Sequence, residues 1–310
     1  MSPRRPGPPA RPTRAGLLAT LPRLALLAAW TYGLSTSVRN VLWCLENDAV
    51  GFDSHAYWLA GRAEHPYGAA PGSRDAFLYS PAFAQLLHPL ALLPWVVFAT
   101  LWAVAVIVAF LWLTAPLPWR WRVPVLLACA PEVLLGNVYA FMAVAAVLGL
   151  RRPQFWAFPL LTKITPGLLG LVWFTARGEW RNVARVLVAT LVVTAISYFL
   201  DPGLWREWIQ FLARTRADDS SMLLARFACA AGLVAVAARL DKAWLLPAAM
   251  WLAAPHFSSS PRDLTILTGM IRLWSWRRPS SPPPGSDPLD TRTQAPRGLD
   301  AGAAPQDRDA

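Results

Sequence analysis

Apolar residues in this chain gather in runs, separated by short polar breaks that carry arginine. Residues 15–36 form the first run, and a helix needs about 20 such residues to cross a bilayer. The next long run is 95–116, so the mixed segment 37–94 between them predicts a loop facing water. Runs 123–135 and 138–150 are short for full spans, and they predict a helical hairpin turning at Gly136-Asn137. Run 155–174 lies between two basic clusters and predicts a second hairpin, turning at Lys163-Ile164-Thr165-Pro166, where Pro166 breaks the helix. Further spans are predicted at 183–200, 222–239, 244–255 and 264–276. Between two of them, residues 204–212 (Leu-Trp-Arg-Glu-Trp-Ile-Gln-Phe-Leu) alternate apolar and charged faces at helical spacing, which predicts a helix lying in the membrane interface. The fold class expected is therefore all-α and polytopic.

The two ends differ from this pattern. Residues 1–14 are rich in Pro and Arg, and residues 277–310 are Pro-rich and polar, so neither can bury a core. Three parts are expected: a disordered basic amino terminus (1–14), a membrane domain (15–276) and a disordered cytoplasmic tail (277–310).

Composition agrees with a membrane protein. Hydrophobic residues make up 55% and charged residues 15% of the 310, too little polar surface to cover a soluble globule. A net charge of +11 would suggest nucleic acid in a soluble protein, but here the arginines flank apolar runs. They read as orientation signals and contacts to membrane lipids, and no nucleic-acid partner is expected. Placing Arg120 and Arg122, Arg151 and Arg152, Arg177 with Arg181 and Arg185, Arg239 with Lys242, and Arg277 with Arg278 in the cytoplasm fixes the path of the chain. The loop 37–94 and both hairpin turns then face outward. The Ala, Arg and Pro bias is compatible with a GC-rich bacterial genome, and the expected location is a bacterial cell membrane, multi-pass.

Candidate chemistry is sparse. Cys44, Cys129 and Cys229 stand apart with no Cys-x-x-Cys spacing, and no His pair has zinc spacing, so no metal site is expected. Neither a Gly-rich phosphate loop nor an Asp-x-Asp pair capable of holding a nucleotide sugar through a metal appears, which disfavours a cytoplasmic nucleotide-sugar donor. The outer loop carries Glu46, Asp48, Asp53, Glu64 and Asp75. By its residues alone, Asp53 reads as a cap for a helix beginning at Ser54. Glu132, beside Pro131 inside an apolar stretch, reads as structural near the Gly136-Asn137 turn or as functional. His65, His88 and His256 read as interfacial or packing residues.

The order of four motifs carries more. Phe52-Asp53-Ser54-His55-Ala56-Tyr57 is followed by His65-Pro66-Tyr67, by Tyr79-Ser80-Pro81-Ala82-Phe83, and by Pro89-Leu90-Ala91-Leu92-Leu93-Pro94. This order resembles the polyprenol-phosphate-mannose-dependent mannosyltransferases of the integral-membrane GT-C superfamily, the family called GT87 or DUF2029. The turn Gly136-Asn137-Val138-Tyr139 and the segment Lys163-Ile164-Thr165-Pro166 look like that family's Gly-polar turn, commoner there as Gly-Gln-x-Asn, and its Lys-x-x-Pro signature. The resemblance covers roughly residues 15–185.

It implies a GT-C-like helical bundle and inverting α-mannosyl transfer from a polyprenyl-phosphate donor to a glycolipid or polysaccharide acceptor on the extracytoplasmic face, with no cofactor. It implies Asp53 as general base, Lys163 on the donor phosphate with Arg62 and Arg74 as further cations, and His55, Tyr57, Tyr67, Tyr79 and Asn137 about the substrates. Such a reaction needs one base and no acid, because a lipid phosphate leaves readily as an anion. Two rival classes are an inactive or reduced homologue acting as a membrane scaffold, and a lipid or polyprenyl-phosphate transporter. A transporter would place charged groups near the midplane of paired broken helices.

Overall fold

A computed structural model of the chain describes residues 14–215, 220–255, 260, 261 and 263–276. The expectations for 1–13 and 277–310, and for His256, Arg277 and Arg278, lie outside the described residues. What is described is helical, with no strand among those residues.

The chain threads back and forth between two ends, one rich in arginine and one holding Asp53. Helix α1 (Arg14–Glu46) runs to the Asp53 end, ten residues beyond the predicted run, so the front of the expected loop is helical. Two short helices, α2 (Phe52–Ala60) and α3 (Pro81–Ala91), fold the remainder of 37–94 into a compact cover. Helix α4 (Trp95–Thr114) then returns along the bundle, as expected from its unbroken apolar run. Its first residue, Trp95, packs edge-on to His55 at 4.7 Å. At its far end the carbonyl of Leu111 accepts from Arg122 at 2.7 Å.

The run 123–135 is two helices, α5 (Trp119–Ala128) and α6 (Ala130–Leu135), with a break at Cys129. Both lie parallel to α1: Gly33 abuts Pro124, Ser37 Oγ donates to the Leu127 carbonyl at 2.6 Å, and the Gly51 amide donates to the Leu134 carbonyl at 2.7 Å. Gly136, with φ 76°, reverses the chain into α7 (Tyr139–Gly149). The turn is where the sequence predicts it, but the two arms take different partners. α5 and α6 pack on α1, whereas α7 packs on α4 and on the last helix of the bundle.

The second predicted hairpin forms from a 3-10 turn (Pro153–Trp156), α8 (Ala157–Thr162) and α9 (Ile164–Ala176). Its break falls on Lys163, whose backbone is extended (φ −128°, ψ 93°). Pro166 instead occupies the first turn of α9, where a missing N–H costs nothing, so it starts the helix rather than breaking it. Gly167 and Gly170 let the arms close, since a methyl at Gly167 would stand 2.6 Å from the Leu160 nitrogen and one at Gly170 would strike the buried Trp156 ring.

Helix α10 (Trp180–Leu200) goes back toward the Asp53 end, where Gln85 of α3 donates to the Ser197 carbonyl at 3.1 Å. The predicted interfacial helix is α11 (Pro202–Arg214), capped by the Asp201 side chain on the Leu204 amide at 3.0 Å. Helix α12 (Ser220–Arg239) returns to the arginine end, where Arg177 reaches the Ala238 carbonyl and Asp241 at 3.1 Å each. The last two predicted spans are shorter pieces. A 3-10 turn (Ala243–Leu245) leads into α13 (Leu246–Leu252), and a second (Asp263–Leu267) leads into α14 (Thr268–Ser275). α13 ends beside the start of α9, where Thr165 Oγ1 donates to the Ala253 carbonyl at 2.7 Å.

Among the described residues, three helices are long and apolar enough to cross a membrane: Trp95–Thr114, Trp180–Leu200 and Ser221–Arg239. α1 is longer but less apolar than these, with Pro22 and Arg23 inside it. α10 leaves Leu187, Val188, Leu191, Ile196 and Phe199 exposed, a face suited to lipid acyl chains rather than water.

Candidate active site

Asp53 is the second residue of α2, and Gly51, with φ 72°, occupies the cap position with no side-chain hydrogen bond to the helix. The helix starts at Phe52, two residues before the sequence predicts, so Asp53 does not cap it. Its charge still suits the first turn, where the backbone N–H groups point toward it. The carboxylate is half-buried and accepts from Asn137 Nδ2 on Oδ2 at 2.9 Å.

Asn137 is held from its other end, because its Oδ1 accepts from the Val138 amide at 2.7 Å. The turn beneath it is fixed too. Trp102 of α4 donates its indole N–H to the Gly136 carbonyl at 2.7 Å, and a methyl on Gly136 would stand 2.5 Å from Ser54 Oγ. Gly136 is therefore required twice, for its left-handed backbone and for the approach of α2. From Trp95 to Trp102 is seven residues, about 10 Å along the helix, so the turn is recessed below the end of α4.

Lys163 enters from the helix break. Its Nζ lies 3.7 Å from the centre of the Tyr139 ring, and it is near enough to Glu132 to interact with it electrostatically. Glu132 interacts in the same way with Asp53. Tyr139 is hydrogen-bonded through its side chain to Asp263, which is buried. Tyr139 opens α7, Lys163 directly precedes α9, and Asp263 opens the turn that leads into α14. Three helical starts thus face one cluster, and such ends favour anions through their unpaired N–H groups. The 3-10 start contributes less than the two α-helices.

The aromatic residues of the cover lie beside this cluster. Tyr57 and Tyr79 meet hydroxyl to hydroxyl at 3.0 Å, and the Tyr67 hydroxyl donates to the Tyr79 carbonyl at 2.9 Å. Burial, reinforced by Tyr79 and then by Asp53, pushes the Tyr57 phenol well above its ordinary range, so it stays neutral. Burial likewise raises Tyr67, which packs against Phe77 and Phe211. Tyr67 therefore braces Tyr79 from within the cover. Ser80 ties the cover to the second hairpin, with Oγ donating to the Leu161 carbonyl at 2.6 Å.

The sequence-predicted residues divide accordingly. Asp53, Asn137, Tyr57 and Tyr79 come together, and Lys163 joins them through Glu132 and Tyr139. His55 turns away from Asp53, pairing with Asp75 at 2.6 Å and resting on Trp58 and Trp95. Arg62 lies over the Trp58 ring at 4.6 Å, and Arg74 pairs with Asp48 at 3.3 Å, both exposed. Tyr139 and Asp263 are additions. Tyr139 was visible as the last residue of the Gly-Asn-Val-Tyr turn, and Asp263 as an acid opening the last apolar run.

The model of glycosyltransferase family 87 matches residues 77–284, more than half of the chain. The chain belongs to that family. Membership makes it a membrane glycosyltransferase. No curated protein and no solved structure matches it. The match begins after Asp53 and takes in Asn137, Tyr139, Lys163 and Asp263, reaching well past the stretch 15–185 on which the resemblance rests.

Proposed function

We propose that this family 87 glycosyltransferase moves mannose from a polyprenyl-phosphate donor to a glycolipid or polysaccharide acceptor, with inversion, at the outer face of a bacterial cell membrane. Asp53 accepts the proton of the acceptor hydroxyl as its oxygen bonds to the anomeric carbon. The bond from that carbon to the phosphate oxygen breaks, and the polyprenyl phosphate leaves with the electron pair. Lys163 and the N-terminal ends of α7 and α9 stabilise the charge that gathers on the departing phosphate. Tyr57 and Tyr79 flank the sugar, and Arg62 and Arg74, exposed on the cover, meet the lipid headgroup on approach.

The observation that carries this reading is the recessed polar turn at Gly136-Asn137, which binds Asp53 at 2.9 Å in a bundle whose outer faces are apolar. A scaffold has no need of a half-buried carboxylate held in that way. The arginine positions support the outward orientation, since Arg122, Arg151 and Arg177 sit at the opposite end from Asp53, where cytoplasmic cations would belong.

The test is transfer from labelled polyprenyl-phosphate mannose in membranes carrying the wild type or Asp53→Asn. The substitution keeps size and removes the base, and the expected loss is about 10²-fold or more in turnover with donor binding retained. Turnover above about a tenth of wild type would reject Asp53 as the base.

A further inference from the structure

Two arginines at the end opposite Asp53 meet on one face of α14. Arg272 lies in the last turn of that helix, with its Cζ 4.6 Å from the centre of the Trp112 ring on α4. Trp276 follows four residues later with helical backbone angles, so it stands one turn on along the same face. Arg151, just beyond the end of α7, places its Cζ 4.0 Å from the centre of the Trp276 ring. Three helices that pack on one another, α4, α7 and α14, thereby bring two guanidinium groups to neighbouring turns.

No acid of the bundle neutralises them. Among the described residues neither arginine has a carboxylate partner, and the acids at that end, Glu179 and Asp241, are both engaged by Arg177, at 2.6 and 3.1 Å. A cation in a last turn suits the end of a helix, but the Nε of Arg272 is buried with no hydrogen-bond partner, and a second cation stands beside it. Both features cost free energy until an anion meets them. A guanidinium lying over an indole ring keeps its N–H groups at its edge, in the geometry that takes a phosphate.

The surroundings favour a lipid over a free anion. Beside the pair, α4 exposes Val104, Ile107, Val108 and Leu111, a stripe at helical spacing that ends next to Trp112. Cations at the end of such a stripe fit a phospholipid, with its phosphate on the arginines and an acyl chain along the helix. Because no carboxylate is left there to receive the ammonium of a zwitterionic headgroup, the fit is to a lipid of net negative charge.

We propose that Arg151 and Arg272 form a binding site for the phosphate of an anionic phospholipid, in the leaflet that meets the arginine end of the bundle, and that the bound lipid ties α4, α7 and α14 together. This site is separate from the donor phosphate of the reaction above and does not depend on the role of Asp53.

The experiment titrates the full chain, purified in a nonionic detergent, with phosphatidylglycerol and reads the thermal midpoint, with phosphatidylcholine and inorganic phosphate in parallel. Phosphatidylglycerol should raise the midpoint saturably, by about 4 °C or more, and the other two should leave it where it is. Arg272→Gln and Arg151→Gln should each weaken the apparent affinity about ten-fold or more, because each removes a charge-assisted contact. Arg185→Gln, which removes the same charge from an exposed position on α10, should bind as the wild type does. No rise with phosphatidylglycerol overturns the proposal, and so does an equal rise with phosphatidylcholine, which would reflect general solvation by lipid. An equal rise with inorganic phosphate overturns the lipid and leaves an anion site. An equal weakening in Arg185→Gln means diffuse charge rather than a site, and wild-type affinity in either site variant likewise overturns the assignment. Where Arg272→Gln fails to accumulate, Arg151→Gln, changed at an exposed side chain, decides by the same outcomes.

Discussion

Asn137 gives Asp53 its direction. On the proposed reading Asp53 is the base, a base must point at the proton that it takes, and the amide holds one of its oxygens at 2.9 Å. Removing the amide in Asn137→Ala should lower kcat about ten-fold or more, since a hydrogen bond to a charged group is worth about 1.5–3 kcal/mol. The donor KM should stay near wild type, as steady-state kinetics on isolated membranes would show. Asn137→Asp should be worse, because two carboxylates at hydrogen-bond distance cannot both stay ionised without cost. An Asn137→Ala enzyme with wild-type kcat would show that Asp53 needs no such support. At this scale the sequence was informative through motif order: Asp53, Asn137 and Lys163 stand at recognisable turns. Tyr139 and Asp263 could be seen in the sequence but not assigned to the site, because a tyrosine or an acid at the edge of an apolar run has an ordinary interfacial explanation, and only tertiary contact brings Tyr139 to Lys163 and Asp263 to Tyr139.

Helical elements meet at glycines in this bundle, and the two kinds of glycine position should respond differently. At Gly136 a methyl group meets both a left-handed backbone and Ser54 Oγ at 2.5 Å, so Gly136→Ala must shift α2 or the turn. The expected destabilisation is about 2 kcal/mol or more, with activity lost through Asp53, measured as a lower thermal midpoint in detergent together with transfer rate. Gly178 has the same hand of backbone, φ 70°, but nothing lies within 4 Å of the added methyl. Gly178→Ala should cost only the backbone strain, about 1–2 kcal/mol, and leave the specific activity of the folded enzyme alone. Similar losses of activity in both would mean that α2 does not depend on the turn. The long elements, α4, α10 and α12, were legible because an apolar run near 20 residues has few other uses. The shorter ones were less so. Cys129 divides one predicted arm, and Pro166 begins a helix that it was expected to break, because a proline signals a helix boundary without saying which side of it the helix lies on.

In the described bundle, Arg122, Arg151 and Arg177 lie at the end opposite Asp53, whereas Arg62 and Arg74 lie on the cover, and this gives the orientation a direct test. α7 and α9 each start at the cluster and end near Arg151 and Arg177, so the two ends are about 17–20 Å apart along these helices. The path of the chain was readable from the sequence as a whole because each change of direction is marked by arginines at one end or by a polar turn at the other. The packing of α5 and α6 on α1 rather than on α7 was not readable, since apolar faces carry no address. If the arginine end is cytoplasmic, single cysteines at Ser73, Ile164 and Gln210, exposed positions of the cover, the second hairpin and α11, should react with a membrane-impermeant maleimide in intact cells. Cysteines at Arg120 and Trp180, exposed at the other end, should react only after permeabilisation. Cys229, which is exposed, is replaced by serine in the parent. The opposite pattern would put Asp53 in the cytoplasm. Labelling at Ile164 alone from the inside would mean that the α8–α9 hairpin does not reach the face that carries Asp53, and would take Lys163 away from the donor phosphate.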